Sequence, residues 1–142
     1  MIMIKDDVYF MKEAYKEALK AYKKEEIPVG SVVVYEGKII GRGHNLRDTE
    51  KIVTKHAEII AIEKANKKIN NWRLINCILY TTLEPCNMCK EVIKETKIKK
   101  VIYGACGKNI STESNIIQIG NKNIISDCES LIINMFRIIR EK

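Results

Sequence analysis

The sequence predicts an α/β protein in which helices cover both faces of a mixed sheet. Hydrophobic positions alternate between helical and strand spacing along the chain, in the order αββαβαβ(β)α. Two strand–helix–strand crossovers imply parallel pairing of the later strands, whereas the first two strands form an antiparallel hairpin. The 142 residues suit one compact domain, so we expect a single domain over residues 1–142.

The first half of the chain predicts two helices around a hairpin. Asp6 and Asp7 can cap a first helix whose apolar residues recur at helical spacing. The run "VGSVVVYEGKIIGRGHN" predicts two strands joined at Glu36-Gly37. "RDTEKIVT" reads as a polar loop, and Thr54 is a candidate N-cap for a helix through "HAEIIAIEKANKK".

The second half predicts alternating short strands and helices. "NCILYTT" predicts a buried strand, and Pro85 suits the first turn of a third helix, "CNMCKEVIKET". "KVIYGA" predicts a fourth strand and "IIQIG" a candidate fifth, so the sheet has about five strands. "SDCESLIINMFRIIREK" has the pattern of an amphipathic last helix.

Composition excludes some classes of protein and favours one kind of partner. The chain has no run of 18 apolar residues, and "MIMIKDDVYF" has too short an apolar stretch for a secretory signal. We therefore expect a cytoplasmic protein without a membrane partner. The net charge of +7 favours nucleic acid as a partner, but Lys, Ile and Asn share A/T-rich codons, so this charge carries modest weight.

The five cysteines do not form a disulfide pattern, because their number is odd and no signal peptide precedes them. Cys77, Cys106 and Cys128 are isolated and fit small buried hydrophobes. Cys86 and Cys89 are three residues apart at a helix start, so both thiols lie on one face. The helix N-terminus is expected to lower their thiol pKa.

His56, at the start of another helix, completes a candidate metal site with the paired cysteines. Two thiolates and one imidazole suit Zn²⁺, and three protein ligands leave a fourth position for water, as in catalytic zinc sites. A structural zinc site would need one more Cys or His, and redox C-x-x-C chemistry would need neither His56 nor Glu58. Glu58 is then a general acid/base, with a helix-dipole role as the alternative.

These motifs match the zinc deaminase signature, H-A-E followed by P-C-x-x-C. The segments "IPVGSVVV", "GHNLR", "KHAEIIAI", "WRLINCILYTTLEPCNMC", "VIYGA" and "DCESLIINMFRIIR" resemble the bacterial tRNA-specific adenosine deaminases over nearly the whole chain. The resemblance implies a cytidine-deaminase-like three-layer α/β/α sandwich and a homodimer. It also implies hydrolytic deamination of adenosine to inosine in nucleic acid, at the wobble position of a tRNA anticodon.

The resemblance also implies roles for individual residues. His56, Cys86 and Cys89 would hold one zinc ion per chain, and Glu58 would shuttle protons. Asn45 would hydrogen-bond the target base, with an ordinary turn asparagine as the alternative.

Other positions match substrate-contacting segments of the family. Gly107 is expected near the sugar of the target nucleotide. Phe136 and Arg137 are expected near bound RNA, with helix packing and solvated charge as the alternative. His44 is expected to be non-catalytic. The segments that would wall the pocket contribute Pro28, Val29, Gly30, Ala57, Leu83 and Glu84.

The chain departs from the family in two places. Cys106-Gly107-Lys108-Asn109 and a shorter segment replace the usual acidic residue and Gly/Ser-rich stretch, and Lys90-Glu91 replaces small residues in a helix that contributes to the dimer. Two alternative functions therefore stay open. One is the same chemistry on single-stranded DNA or on a free base or nucleoside such as guanine or cytidine. The other is a non-catalytic nucleic-acid-binding module with structural zinc.

Overall fold

The computed structural model describes residues 5–108 and 110–142. These residues contain five strands and five helices. The strands are β1 (Gly30–Tyr35), β2 (Lys38–His44), β3 (Cys77–Leu83), β4 (Lys100–Ala105) and β5 (Ile116–Gln118). The helices are α1 (Asp7–Lys23), α2 (Arg47–Glu50), α3 (Ala57–Ile69), α4 (Asn87–Thr96) and α5 (Lys122–Arg140). Asn109 and residues 1–4, which begin the stretch considered for a signal, lie outside the described residues.

The strands form one mixed sheet in the order β2-β1-β3-β4-β5. β1 pairs antiparallel with β2 and β3, whereas β4 pairs parallel with β3 and β5. The predicted hairpin and parallel later strands are thereby confirmed. At the hairpin turn, Glu36 and Gly37 have φ angles of 49° and 76°. Two consecutive positive φ angles are typical of a type I′ turn, whose twist matches that of the flanking strands.

Helices cover both faces of the sheet, which confirms the predicted three-layer α/β/α sandwich. Alternate residues of β1 enter opposite cores, because strand side chains alternate between faces. Val32 and Val34 pack in the core with α1 and α5, whereas Val33 packs in the core with α3 and α4. Among the described helices, none combines the length and hydropathy needed to cross a bilayer.

The isolated cysteines differ from one another in exposure. Cys77 and Cys128 are buried, one in each core, as the sequence predicts. Cys106 is exposed, so its interpretation as a buried hydrophobe is wrong. It directly follows Ala105, the last residue of β4, where the chain leaves the sheet.

Some helix boundaries also differ from the predictions. Asp6 caps α1 as expected, since its carboxylate accepts the Tyr9 N–H at 3.0 Å. Thr54 does not cap α3: His56 holds that position, and its carbonyl accepts the Ile60 N–H at 3.1 Å. The predicted polar loop after β2 contains the short helix α2. Helix α5 begins earlier than expected, because the Asn121 side chain accepts the Ile124 N–H and so caps the helix.

Strand β2 lies directly against α3 because it presents glycine on that face. Arg42 faces α1, where its guanidinium bonds the Glu13 carboxylate at 2.5 Å. Gly41 and Gly43 face α3: a Cβ on Gly43 would lie 2.5 Å from the Ala57 carbonyl oxygen, and one on Gly41 would lie 2.2 Å from that of Ala61. This close approach sets the position of the first turn of α3 relative to the sheet.

We predict that Gly43→Ala destabilises the protein by about 1–3 kcal/mol, because the added methyl group forces α3 away from β2. The measurement is the free energy of unfolding in urea. Gly120→Ala is the control, since a Cβ there meets nothing within 4 Å. Gly120→Ala is expected to change stability by less than about 0.5 kcal/mol. Equal unfolding midpoints for Gly43→Ala and the wild type would contradict the packing argument.

Candidate active site

Three metal-ligating side chains converge where α3 and α4 begin. The Nδ1 atom of His56 lies 3.7 Å from the Cys86 Sγ and 3.5 Å from the Cys89 Sγ. All three ligand atoms lie within 4.8 Å of one another. Tetrahedral zinc, with bonds of about 2.0–2.1 Å to nitrogen and 2.3 Å to sulfur, separates nitrogen from sulfur by about 3.6 Å. The spacing and the chemistry of this donor set therefore fit a zinc ion.

Helix capping leaves two of these side chains available for a metal. His56 and Cys86 occupy the N-cap positions of α3 and α4 in extended conformations, and neither side chain bonds a backbone N–H among the described residues. Their carbonyls instead begin the helices, as when the Cys86 oxygen accepts the Lys90 N–H at 2.9 Å. Burial lowers the pKa of the His56 imidazole, and the Arg47 charge lowers it further. The neutral imidazole so favoured is the form that binds metal.

Cys89 is the buried member of the trio. Burial raises the pKa of its thiol well above the ordinary value, and the Glu58 and Cys86 charges raise it further. The prediction that the helix N-terminus lowers the thiol pKa is therefore wrong for Cys89, because the cost of desolvating a thiolate outweighs the helix dipole. A bound cation reverses this balance, since a coordinating thiol is deprotonated outright.

Glu58 lies beside the metal-ligating trio as the second residue of α3. Glu58 is only 4% exposed, unlike a helix-dipole glutamate at a solvated surface. Burial raises the pKa of its carboxyl to about 7, against the lowering effect of hydrogen bonds from its own backbone and from Cys89. A carboxyl group with a pKa near neutrality can both accept and return a proton.

A cavity of about 130 Å³ opens beside Glu58 and the metal-ligating trio. Its walls come from the segment before β1, the segment after β2, the start of α3 and the segment after β3. Ile27 and Arg47 line it although sequence reasoning did not select them. Both lie within segments that resemble the family, "IPVGSVVV" and "GHNLR", and a cation two residues after Asn45 was the available signal. The lining residues are Ile27, Val29, Asn45, Arg47, His56, Ala57, Glu58, Leu83, Glu84 and Cys86.

Asn45 combines a turn geometry with a place in the cavity wall. Its Oδ1 accepts the Arg47 N–H at 3.1 Å, and its Nδ2 donates to the Ile27 carbonyl at 3.1 Å. A primary amide has two N–H donors and two acceptor lone pairs. Among the described residues one donor and one lone pair of Asn45 are thus engaged, which orients the amide and leaves one of each for a ligand.

Glu84 lines the cavity and also supports the segment after β4. Its carboxylate accepts the Gly107 N–H at 2.9 Å and the Ser111 N–H at 2.7 Å. Burial raises the pKa of Glu84, but the hydrogen bonds from Ser111 and Gly107 outweigh this effect, and the net shift is downward. Gly107 therefore contacts the cavity wall through Glu84 and is not itself a lining residue.

The remaining predicted site residues do not line the cavity. Phe136 and Arg137 are exposed near the end of α5. Pro28 is buried between lining residues, and a Cβ on Gly30 would lie 2.0 Å from the Ala14 carbonyl oxygen of α1. His44 lies outside the cavity as well, with its Nδ1 3.2 Å from the Glu17 Oε1.

Comparisons with known proteins agree with this geometry. Residues 4–105 match the family model of the cytidine and deoxycytidylate deaminase zinc-binding region. The chain is 40% identical to the tRNA-specific adenosine deaminase of Bacillus subtilis (strain 168), with 99% of this chain and 94% of that protein covered.

Two solved structures are similar in fold and in sequence. A structure from a study of tRNA:A34 deaminases superposes with a TM-score of 0.71 at 29% identity, covering 79% of this chain and 98% of that chain. The guanine deaminase of Bacillus subtilis superposes with a TM-score of 0.69 at 30% identity, covering 89% and 93%. The chain therefore belongs to the cytidine and deoxycytidylate deaminase family of zinc-binding proteins, and its relatives in that family include tRNA-specific adenosine deaminases.

Proposed function

We propose that this protein is a zinc-dependent hydrolytic deaminase that converts adenosine to inosine in nucleic acid, with the wobble adenosine of a tRNA anticodon as its target. The observation that carries the proposal is the 40% identity to a tRNA-specific adenosine deaminase over nearly the whole length of both chains. The net charge of +7 suits a polyanionic substrate.

His56, Cys86 and Cys89 would hold one zinc ion per chain. The support for this assignment is the donor spacing, with nitrogen–sulfur distances of 3.5 and 3.7 Å. When bound, zinc supplies a water molecule whose pKa is lowered toward neutrality.

Glu58 and Asn45 would carry out the remaining tasks in the cavity. Hydrolytic deamination adds water at C6 of adenine, breaks the C6–N bond and releases ammonia. Glu58 would take a proton from the attacking water and deliver protons to a ring nitrogen and to the departing amine. The free donor and acceptor of Asn45 would bind the edge of the base and hold it for attack. Val29, Ala57, Leu83 and Glu84 would wall the base.

A second candidate function is deamination of a free base such as guanine. It is favoured by the 30% identity to the guanine deaminase of Bacillus subtilis, which covers 89% of this chain. The homodimer, the cytoplasmic location and the single domain over residues 1–142 stay predictions.

The first test compares substrates. We expect inosine from tRNA or an anticodon hairpin, with a higher kcat/KM than for guanine, adenosine or cytidine, because phosphate contacts add binding energy that a free base or nucleoside lacks. Single-stranded DNA is assayed beside them as the substrate that keeps the phosphates and lacks the 2′-hydroxyl. Chromatography of digested products measures each conversion. Turnover of guanine with none of RNA would contradict the proposal and establish the second candidate.

Replacing a cysteine of the trio tests the metal assignment. We expect about one zinc ion per wild-type chain and loss of zinc and activity in Cys89→Ala, because two remaining ligands hold zinc poorly. Elemental analysis of the purified proteins measures the zinc. Cys106→Ala is the matched control, since Cys106 is exposed and should leave zinc in place. Full zinc occupancy in Cys89→Ala would show that the assignment is wrong.

Replacing Glu58 separates an enzyme from a binding module with structural zinc. We expect Glu58→Gln to keep zinc and lose about 10²–10⁴-fold in kcat, the usual contribution of a general acid/base. The control is Glu63→Gln on the same helix, because the Glu63 side chain is 56% exposed. Wild-type turnover in Glu58→Gln would remove Glu58 from the mechanism.

A further inference from the structure

Arg47 occupies a distinctive place in the cavity wall. It lines the cavity, yet 45% of its side chain is exposed, whereas Asn45, Ala57 and Glu58 are buried. A side chain that both lines a cavity and reaches solvent lies at the cavity mouth. The Arg47 guanidinium is therefore available to whatever part of a substrate stays outside.

The cavity is too small for a whole nucleotide. Its volume is about 130 Å³, whereas sites that enclose a drug-sized ligand measure about 300–1,000 Å³. A base extruded from its strand can enter, because deaminases of nucleic acid unstack their target base and take it into a tight pocket. The sugar and its flanking phosphates must then lie at the mouth, beside Arg47.

Two buried side chains hold the first turn of α2, which carries Arg47. Helix α2 begins after Leu46, whose side chain cannot accept a hydrogen bond, so the first N–H groups of α2 need acceptors from elsewhere. Asn45 accepts the Arg47 N–H at 3.1 Å. The Glu26 carboxylate, on a residue only 1% exposed, accepts the Asp48 N–H at 3.2 Å and the Thr49 N–H at 2.6 Å.

The guanidinium itself is not held by a buried partner. Among the described residues its ion pair is with the neighbouring Asp48, whose side chain is 68% exposed, at 3.8 Å. Exposed ion pairs of this kind contribute little and exchange readily with other anions. A fixed backbone with an uncommitted guanidinium suits recognition of a phosphate, which arginine can bind through two parallel hydrogen bonds.

We propose that Arg47 binds a phosphate flanking the target nucleotide while the base occupies the cavity, and that Glu26 helps to position Arg47 by holding the first turn of α2. This inference rests on the proposed function and adds the group that recognises a polynucleotide. A contact to phosphate fixes the register of the strand without reading its sequence. It distinguishes a nucleotide within a strand from a free base or nucleoside, neither of which carries a phosphate.

The test combines an enzyme variant with a modified RNA. Two hairpins each carry one uncharged methylphosphonate, either 5′ or 3′ of the target adenosine. We expect the kcat/KM of the wild type to fall by about 10- to 100-fold with one of the two modified hairpins, because the neutral methylphosphonate removes a charge-assisted hydrogen bond. Arg47→Ala should show the same loss on unmodified RNA and no further loss with that hairpin.

Two results would overturn the inference. One is wild-type kcat/KM for Arg47→Ala on unmodified RNA, and the other is equal sensitivity of Arg47→Ala and the wild type to both methylphosphonates. Arg73→Ala is the matched control and should behave as the wild type, because Arg73 stacks on the Trp72 ring at 4.2 Å and does not line the cavity. If the wild-type protein deaminates guanine but no RNA, the proposed function is wrong, and this inference fails with it.

Glu26→Gln tests whether Glu26 positions Arg47. The carboxylate accepts two backbone N–H groups, whereas the NH₂ group of glutamine would face one of them as a second donor, so that hydrogen bond would be lost. We expect a raised KM for RNA with nearly unchanged kcat and zinc content. This rise should disappear in the Arg47→Ala background, since Glu26 acts through Arg47. The same rise in KM in both backgrounds would show that Glu26 supports the fold in general and does not position Arg47.

Discussion

The site depends on the meeting of two helix N-termini at one edge of the sheet. β2 and β3 both pair antiparallel with β1, so they run in the same direction and end at the same edge. His56 is the N-cap of α3, the long helix between β2 and β3, and Cys86 is the N-cap of α4, the helix that follows β3. Ligand sites in α/β sheets favour the carboxyl ends of strands for this reason. The contact of Gly41 and Gly43 with α3 then sets the position of the start of α3, and so of His56, relative to the sheet.

Glu26, Glu58 and Glu84 are buried near this edge, and their hydrogen bonds separate their roles. A buried carboxylate is costly unless hydrogen bonds or charges stabilise it. Glu26 and Glu84 each accept two backbone N–H groups, so they hold the segments that carry Arg47 and Gly107. The pKa of Glu84 is lowered, whereas burial raises that of Glu58 to about 7. Glu58 therefore stands apart as the carboxyl group suited to proton transfer, and the other two serve as supports.

The division between a small cavity and a charged mouth bears on substrate choice. Proteins with this fold act on free bases and on nucleic acid, so the fold alone does not select the substrate. Under the proposed function, a base would need only the cavity, the amide of Asn45 and the zinc ion that His56, Cys86 and Cys89 would hold. A polynucleotide brings a backbone that stays outside, and Arg47 is the cavity-lining cation that reaches solvent there. Selection between these substrates would then depend on residues at the mouth, which can change without disturbing the chemistry within.

The sequence by itself determined the elements and the metal-binding pattern. Hydrophobic spacing predicted the hairpin, the parallel strands and the helices, and the spacing of His56, Cys86 and Cys89 predicted ligands that lie within 4.8 Å of one another. Only the tertiary structure decided that α2 forms and carries Arg47 to the cavity. It also decided that desolvation raises the thiol pKa of Cys89. These features depend on burial and on hydrogen bonds between distant segments, such as that from Thr49 to Glu26, which local sequence patterns do not record.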